Sequence, residues 1–596
     1  MLLQLFFTAS TLPLSGENTG VTSLEVEAAP GESLSRGIWL SGLVPPLPLC
    51  GGLGRCGRCR VRFVADAPAP LPAEVDFFST TELYDGWRLA CRRQVPDAAT
   101  LELELPAENL ALPYDLEKTS TADFMVDTRQ ATDNNTLSAS FAAEGASLAL
   151  AVDLGTTSVY WRALSVPKAG DGTAGTAVIV AQGSFLNPQA GAGADVMSRL
   201  AVARQPQGRR VLSQLVRRSL RRVVDSLEQA GSARVAGLCV AANTAMTDIL
   251  LDRPVDGLCA APYRRAHHGH ENVDVVGLPP VYIPPLPAPF VGGDVSAGLA
   301  ALLAADVPRP FVLADLGTNG ELALVDTAGR LLLCSVPLGP ALEGVGPQCG
   351  QLAGPGVITD FSLAPTGLTA HFFAQDQKDG RTEHGGQCPC PSCQTVFAQS
   401  LRDGRCDPTS EAHRARGISA SGYVSLLAVL LRTGLMREDG GFEPAPGMPL
   451  ARRLAAGLEA GKGSGGTRLH LPHGMWLCAA DVEELLKVKA AFALALESLL
   501  AAAGLAPAQV EALCLAGALG EHVRAHDLQT LGFLPSALAP RLRAVGNASL
   551  QGAALLAINV HMRENLAGLC ATSRVLPLVE EENFHQTYLR HMRFGA

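Results

Sequence analysis

Four cysteines, Cys50, Cys56, Cys59 and Cys91, follow the spacing C-x5-C-x2-C-x31-C, with Gly51, Gly52, Gly54 and Gly57 among the first three. The first three thiols, so close along the chain, must wrap one centre, and the glycines permit a crowded loop whose backbone N–H groups face sulfur. That is metal or redox chemistry. A second chemistry is written twice. Residues 148–160 (LALAVDLGTTSVY) and 311–321 (FVLADLGTNGE) are apolar runs ending in Asp-Leu-Gly-Thr, the pattern of a buried strand turning tightly into a hairpin. In each, the carboxylate (Asp153 or Asp315) falls at the strand end. The glycine (Gly155 or Gly317) lets backbone approach a ligand, and the threonines (Thr156 and Thr157, or Thr318) offer hydroxyls and N–H groups. Such a turn handles phosphate.

The elements that must position the thiols are a strand at 2–8, a second at 21–28, a short helix at 34–43 and a strand at 60–64, with the last cysteine delivered by Gly86-Trp-Arg-Leu-Ala-Cys91. Together they predict a small β-grasp unit. It resembles a [2Fe–2S] ferredoxin domain, although the first ligand spacing is five residues where the plant type has four. Zinc is the alternative for four cysteines, but its sites usually pair two C-x2-C knuckles. Arg55, Arg58, Arg60 and Arg62 stud the loop, either as a positive rim for an acidic electron partner or as a solvated edge.

Two Asp-Leu-Gly-Thr copies predict two similar lobes, each offering one carboxylate to a metal–nucleotide. A third stretch, Leu513 to Gly520 (LCLAGALG), is a buried strand ending in small residues, where backbone can lie flat against an adenosine. These three resemble the phosphate-1, phosphate-2 and adenosine motifs of the acetate kinase, sugar kinase, Hsp70 and actin (ASKHA) superfamily. The resemblance implies ATP with Mg2+, Asp153 and Asp315 as the catalytic carboxylates, and Gly155, Thr156, Thr157, Gly317, Thr318, Asn319, Glu321, Gly517 and Gly520 against the nucleotide. Asn243 and Thr244, at the end of an apolar strand (235–241), stand where an α/β sheet binds ligands, or equally where a helix is capped.

A narrower resemblance rests on the ferredoxin-like start, Asn187-Pro188-Gln189, Gly193-Ala194-Asp195-Val196, Asn243 to Thr247, Asp315 to Glu321, Gly339-Pro340 with Glu343-Gly344, and Leu515-Ala516-Gly517. Over nearly the whole chain these resemble the reductive activators of corrinoid proteins. That implies an ATP-dependent iron–sulfur enzyme, working as a homodimer, that returns cob(II)alamin to cob(I)alamin in the corrinoid protein of a methyltransferase system, with a low-potential donor upstream. Departures fall near the expected nucleotide: Ala242 before Asn243, Ser419-Ala420-Ser421-Gly422, and Ala518-Leu519 within the adenosine motif.

Composition agrees. A chain of 596 residues exceeds one core, so several domains are expected. A net charge of −10 argues against a nucleic-acid partner, and no apolar run is long enough to span a membrane. The N-terminus lacks the basic region of a signal peptide, which with fifteen cysteines predicts a cytoplasmic protein whose thiols bind metal. The expected class is an α/β and α+β multidomain chain: a β-grasp [2Fe–2S] unit (1–106), a linker (107–147), a first ASKHA lobe with its hinge helix (148–309), a second lobe (310–575) and a tail (576–596). Residues 376–410, with Cys388, Cys390, Cys393 and Cys406, form an insertion that reads as polar surface more than as a second metal site. Two other functions use the same parts: a small-molecule kinase, which has no need of the four cysteines, and a redox-sensing nucleotide-binding protein without turnover.

Overall fold

In this computed structural model the described residues are 2–7, 23–106 apart from 45, 48, 50, 51, 53, 55, 56, 76, 98 and 99, 147–166, 177–373 apart from 231, 232, 318, 344, 345, 355 and 366, 415–517 apart from 462–465, and 523–595 apart from 579–582. The linker and the cysteine-bearing insertion therefore lie outside them.

Strands β1 (Leu2–Phe7), β2 (Ser23–Glu27), β3 (Arg60–Phe63), β4 (Trp87–Leu89) and β5 (Thr100–Leu105) form a sheet in the order β2-β1-β5-β3-β4, with β1 and β5 parallel. Alternation decides which face is inside: Leu3 and Leu5 of β1, Val61 and Phe63 of β3, and Leu103 and Leu105 of β5 are buried. They meet Leu34, Ile38 and Trp39 of helix α1 (Leu34–Trp39), which closes the core. This is the β-grasp arrangement expected from the sequence.

The second sheet runs β10-β11-β9-β6-β7-β8, built from β6 (Ser147–Leu154), β7 (Ser158–Val166), β8 (Val178–Leu186), β9 (Val235–Ala242), β10 (Glu271–Val273) and β11 (Val281–Ile283). Helices α2 (Val196–Ala203), α3 (Pro206–Ala230) and α4 (Thr244–Leu250) connect β8 to β9 and follow it. Helix α3 carries Leu212, Leu215, Val216, Leu220, Val223, Val224 and Leu227 on one buried stripe, the three-and-four spacing that gives a helix one apolar face. Each such side chain contributes roughly 1.5–3 kcal/mol by leaving water. Helix α5 (Gly293–Ala304) follows.

A third sheet, ordered β22-β21-β12-β13-β14-β23, contains β12 (Phe311–Leu316), β13 (Asn319–Val325), β14 (Leu331–Pro337), β21 (Ala512–Ala516), β22 (Leu542–Gly546) and β23 (Arg574–Val575). Its central strands are buried almost throughout and pack with helices α6 (Ala420–Thr433) and α7 (Ala479–Ala503) in one large core. Two smaller sheets complete this region: β16-β15-β17, from β15 (Val357–Ala364), β16 (Gly367–Phe372) and β17 (Gly417–Ile418), and β18-β19-β20, from β18 (Leu458–Glu459), β19 (Arg468–His470) and β20 (Trp476–Cys478).

The chain divides into two units, Met1–Asp306 with Ala548–Ser573 and Val307–Asn547 with Arg574–Ala596. The sequence reading kept residues 310–575 together. In the structure, helices α8 (Ala548–Ile558) and α9 (Val560–Ala571) join the first unit. The physical reason is a close helix crossing: a Cβ on Gly552 would sit 1.6 Å from the Ala297 carbonyl oxygen of α5, so only glycine admits the approach.

Candidate functional site

Within the first unit, β6 delivers Asp153 to the strand end, where it pairs across the hairpin with Tyr160 of β7 and lies beside Ala241 of β9. The following turn is gripped from inside. Asn187 donates its backbone N–H to the Thr157 carbonyl at 2.8 Å and its Nδ2 to the Gly155 carbonyl at 2.7 Å. Arg199, fully buried on α2, donates Nη2 to the Thr156 carbonyl. Three successive carbonyls are thus fixed by donors from one loop and one helix. Ser549 Oγ, from α8, donates to Asp153 Oδ1 at 2.8 Å. Neither Arg199 nor Ser549 was singled out by the sequence for this role. An Arg four residues after Asp195 is all the sequence offered for the first.

Asn243 and Thr244 stand at the junction of β9 and α4. Asn243 caps α4 by accepting from the Ala245 N–H at 3.2 Å, and its Nδ2 donates to the Phe290 carbonyl at 3.0 Å. Thr244 is fully buried and donates Oγ1 to the Ala288 carbonyl at 2.7 Å. Asn243 thus fills the capping role that the sequence allowed.

In the second unit the other hairpin brings two carboxylates side by side. Asp315 of β12 is the direct antiparallel partner of Glu321 on β13 and lies beside Ala516 of β21. Residues directly opposite share a face, with Cβ atoms about 4.5–5.5 Å apart. Glu321 is 7% exposed. Gly317 donates its N–H to the Asn319 carbonyl at 3.0 Å, closing the turn. Gly517 follows β21 with φ +85°, and a Cβ there would stand 3.2 Å from Asp315 Oδ1. The structure therefore gathers Asp315, Gly317, Asn319, Glu321 and Gly517. Thr318 and Gly520 lie outside the described residues. Paired carboxylates at a glycine turn can hold a divalent cation and orient a water or a phosphate.

The β-grasp unit brings Cys59 and Cys91 together at the same end of the antiparallel β3–β4 pairing, where Arg60 faces Leu89. Cys91 donates its N–H to Cys59 Sγ at 3.4 Å, and Ala90 N–H donates to the Cys59 carbonyl at 2.8 Å. Gly52, Gly54 and Gly57 all take positive φ, at +96°, +73° and +66°. Phe77 lies so close over Gly57 that a Cβ there would be 1.8 Å from its ring. A sulfur receiving a backbone N–H beside a glycine loop of this kind fits a thiolate-held cluster. Cys50 and Cys56 lie outside the described residues, and among the described residues no group of three His, Cys, Asp or Glu is placed to hold a metal ion. Of the arginines around the loop, Arg60 pairs with Glu82 at 2.7 Å and lies over Phe78 and Trp87, while Arg62 pairs with Glu104. These two charges are answered within the unit, as a structural edge requires. No helix among the described residues is long and apolar enough to cross a membrane.

The duplicated hairpins define an ASKHA-type protein preceded by a β-grasp unit. The chain belongs to the RACo family: residues 148–305 match the RACo middle region, and residues 309–596 match the C-terminal domain of RACo, the ASKHA domain. The corrinoid activation enzyme RamQ of Eubacterium limosum is 24% identical over 473 residues, covering 75% of this chain and 70% of the relative. The [Co(II) methylated amine-specific corrinoid protein] reductase of Methanosarcina barkeri is 27% identical over 319 residues, 53% of this chain and about half (51%) of the relative's length. Among solved structures, a reductive activator for corrinoid, iron–sulfur protein superposes with a TM-score of 0.60 at 20% identity, covering 99% of this chain and 98% of that one. That likeness establishes the fold. A shorter match, 39% identical over 74 residues, joins 12% of the chain to 17% of a component of the Na(+)-translocating NADH-quinone reductase of Chlamydia pneumoniae.

Proposed function

We propose that this chain is an ATP-dependent reductive activator: it passes one electron through a cluster held by Cys50, Cys56, Cys59 and Cys91 to a corrinoid protein, returning cob(II)alamin to cob(I)alamin. The observation that carries the reading is the Cys91 N–H to Cys59 Sγ contact in a β-grasp unit, in a chain whose family members carry corrinoid-activation and corrinoid-reductase names. A kinase of this fold would have no use for that contact.

When bound, a [2Fe–2S] cluster supplies single electrons at low potential. The chain's own residues do the rest. The β3–β4 pairing would hold Cys59 and Cys91 side by side, with the Cys91 N–H aimed at the Cys59 sulfur, which orients the ligand. In the second unit, Asp315 and Glu321 on one hairpin would hold Mg2+ and orient the nucleotide phosphate; in the first, Asp153 with its Ser549 partner offers a carboxylate of the same kind beside its own glycine turn. Reduction of Co(II) is uphill for a plant-type centre near about −400 mV, and each 59 mV of shortfall costs about tenfold in a one-electron equilibrium. Nucleotide coupling offsets this if the ATP-bound state favours one docked geometry with the partner, a shift limited by the differential affinity for the two states. The partner class, the low-potential donor, a homodimeric assembly and a cytoplasmic setting are parts of the same proposal.

The test mixes anaerobic protein, a low-potential reductant and the Co(II) form of a methyltransferase corrinoid protein, following the Co(I) absorbance with and without Mg-ATP. Nucleotide-dependent Co(I) formation is the expected result. Failure across several corrinoid proteins, with the cluster intact, would refute the reading in favour of a sensor without turnover.

A further inference from the structure

Within the first unit, the β-grasp domain and the first Asp-Leu-Gly-Thr turn touch opposite sides of a single loop. Residues 188–194 form that loop, a short helical turn entered at Pro188 and left at Gly193, whose φ is +148°. From the β-grasp side, the Leu49 carbonyl accepts the Ala194 N–H at 2.8 Å, and Leu49 immediately precedes the cluster ligand Cys50. Trp39, at the end of α1, presses on the same loop: a Cβ on Gly191 would lie 2.7 Å from the Trp39 Cβ. A Cβ on Gly193 would lie 2.2 Å from that of Ser198. The loop path that presents the Ala194 N–H therefore requires glycine at both positions.

From the nucleotide side the loop is held by Arg199. Its Nε donates to the Gly193 carbonyl at 3.1 Å, its Nη1 to Gln189 Oε1 at 3.2 Å, and its Nη2 to the Thr156 carbonyl. Gln189 is itself buried and donates Nε2 to the Leu212 carbonyl at 3.0 Å. Asp195 caps the helix that carries Arg199, accepting from the Ser198 N–H at 2.8 Å. A guanidinium is planar and presents its donors as a rigid fork. Moving the Thr156 carbonyl therefore turns the fork and displaces the Gly193 carbonyl, one residue from the Ala194 N–H that meets Leu49. A fully buried guanidinium carries a desolvation penalty that an apolar residue of similar volume avoids. Its use here buys one property such a residue lacks, a stiff link between two carbonyls.

We propose that Arg199 is a positioning residue that couples nucleotide at the Gly155–Thr157 turn to how tightly the β-grasp unit is held at the Leu49–Ala194 contact. The inference rests on the reading of that turn as part of a nucleotide site. It makes nucleotide a regulator of the cluster domain's seat as well as a ligand, and it is reciprocal: whatever loosens the seat must change nucleotide affinity by the same factor.

The experiment is hydrogen–deuterium exchange on the full-length, cluster-loaded protein, comparing peptides covering 34–49 and 188–195 with and without Mg-ATP, alongside nucleotide binding by calorimetry. In the wild type, Mg-ATP should slow exchange in both segments at least threefold. In Arg199→Lys, which keeps the charge and loses the fork, nucleotide affinity should fall by about the coupling factor, and at saturating Mg-ATP the nucleotide-dependent change in both segments should disappear. A purely structural role would raise exchange equally with and without ATP and leave the nucleotide response in place, and that outcome overturns the proposal. So does a wild type that binds nucleotide with no response in either segment. If Arg199→Lys does not fold, Gln189→Met, which removes one of the arginine's acceptors, carries the same expectation, and a full response in that variant refutes the coupling. A wild type that binds no nucleotide would instead sink the functional reading itself.

Discussion

Ser549 reaches Asp153 from 396 residues away in sequence and donates its hydroxyl to Oδ1 at 2.8 Å. One oxygen of the first carboxylate is thereby oriented by a helix that enters the unit only near the end of the chain, after Gly546-Asn547.

Ser549→Ala removes that donor from a half-buried carboxylate. Hydrogen bonds to charged groups contribute about 1.5–3 kcal/mol, so the apparent KM for ATP in nucleotide-dependent corrinoid reduction should rise roughly tenfold or more. The cluster's EPR signal should not change. An unaltered KM would show that Asp153 needs no help from α8.

The Asp315–Glu321 pairing predicts a steeper loss. Asp315→Asn or Glu321→Gln keeps the shape and takes away one charge from the proposed cation site, and such a loss commonly costs orders of magnitude in turnover. Steady-state activation assays with and without Mg-ATP separate this from misfolding, because reduction of the cluster by dithionite should proceed as in the wild type. Gly517→Ala acts on the same carboxylate by another route. Its φ of +85° strains any Cβ, and that Cβ would press on Asp315 Oδ1 at 3.2 Å, so weaker nucleotide binding should accompany about 1–2 kcal/mol of lost stability.

Both hairpins were legible in the sequence because a strand, a glycine turn and a carboxylate are local signals. The pairing of Cys59 with Cys91 was legible too, since few arrangements let a glycine-rich loop and a distant cysteine share one centre. What the sequence hid is non-local. No spacing rule announces that Ser549 meets Asp153, or that α8 and α9 pack with the first unit, because that packing depends on Gly552 fitting against Ala297. Arg199 was hidden for a different reason: an arginine in a short helix ordinarily reads as solvated. At Asn243 and Thr244 two readings fit the sequence equally; the structure adds the bonds to Phe290 and Ala288, which no local pattern announces.

The cluster assignment gives a compositional test. Protein purified without oxygen should contain two irons and two labile sulfides per chain and show a reduced-state EPR signal, and Cys59→Ser, Cys91→Ser or Cys56→Ala should each abolish it. Zinc in place of iron would refute the assignment. Because the β-grasp core rests on Leu3, Leu5, Ile38, Trp39 and Leu103, nucleotide binding by the remainder of these variants should persist.

The last expectation concerns the C-terminal segment. Lys489 of α7 is fully buried, and its Nζ donates to the carbonyls of His591 and Arg593 at 3.1 and 2.7 Å, tying the end of the helix Phe584–His591 to the second unit. Burial pulls its pKa down from 10.5 to about 8. The folded value lies below the unfolded one, so between pH 8 and 10.5 the unfolded chain binds more protons at this site than the native protein does, and stability rises with pH across that window. Below pH 8 the lysine is charged in both states and the full cost of burying it is present. Wild type should therefore gain on Lys489→Met by up to about 3 kcal/mol between pH 8 and 10.5. Thermal unfolding of both proteins at half-unit pH steps reads this as a diverging pair of curves, since every other titrating group is common to both. Parallel curves would mean that Lys489 titrates as it does in water, its two carbonyl bonds offsetting the cost of burial.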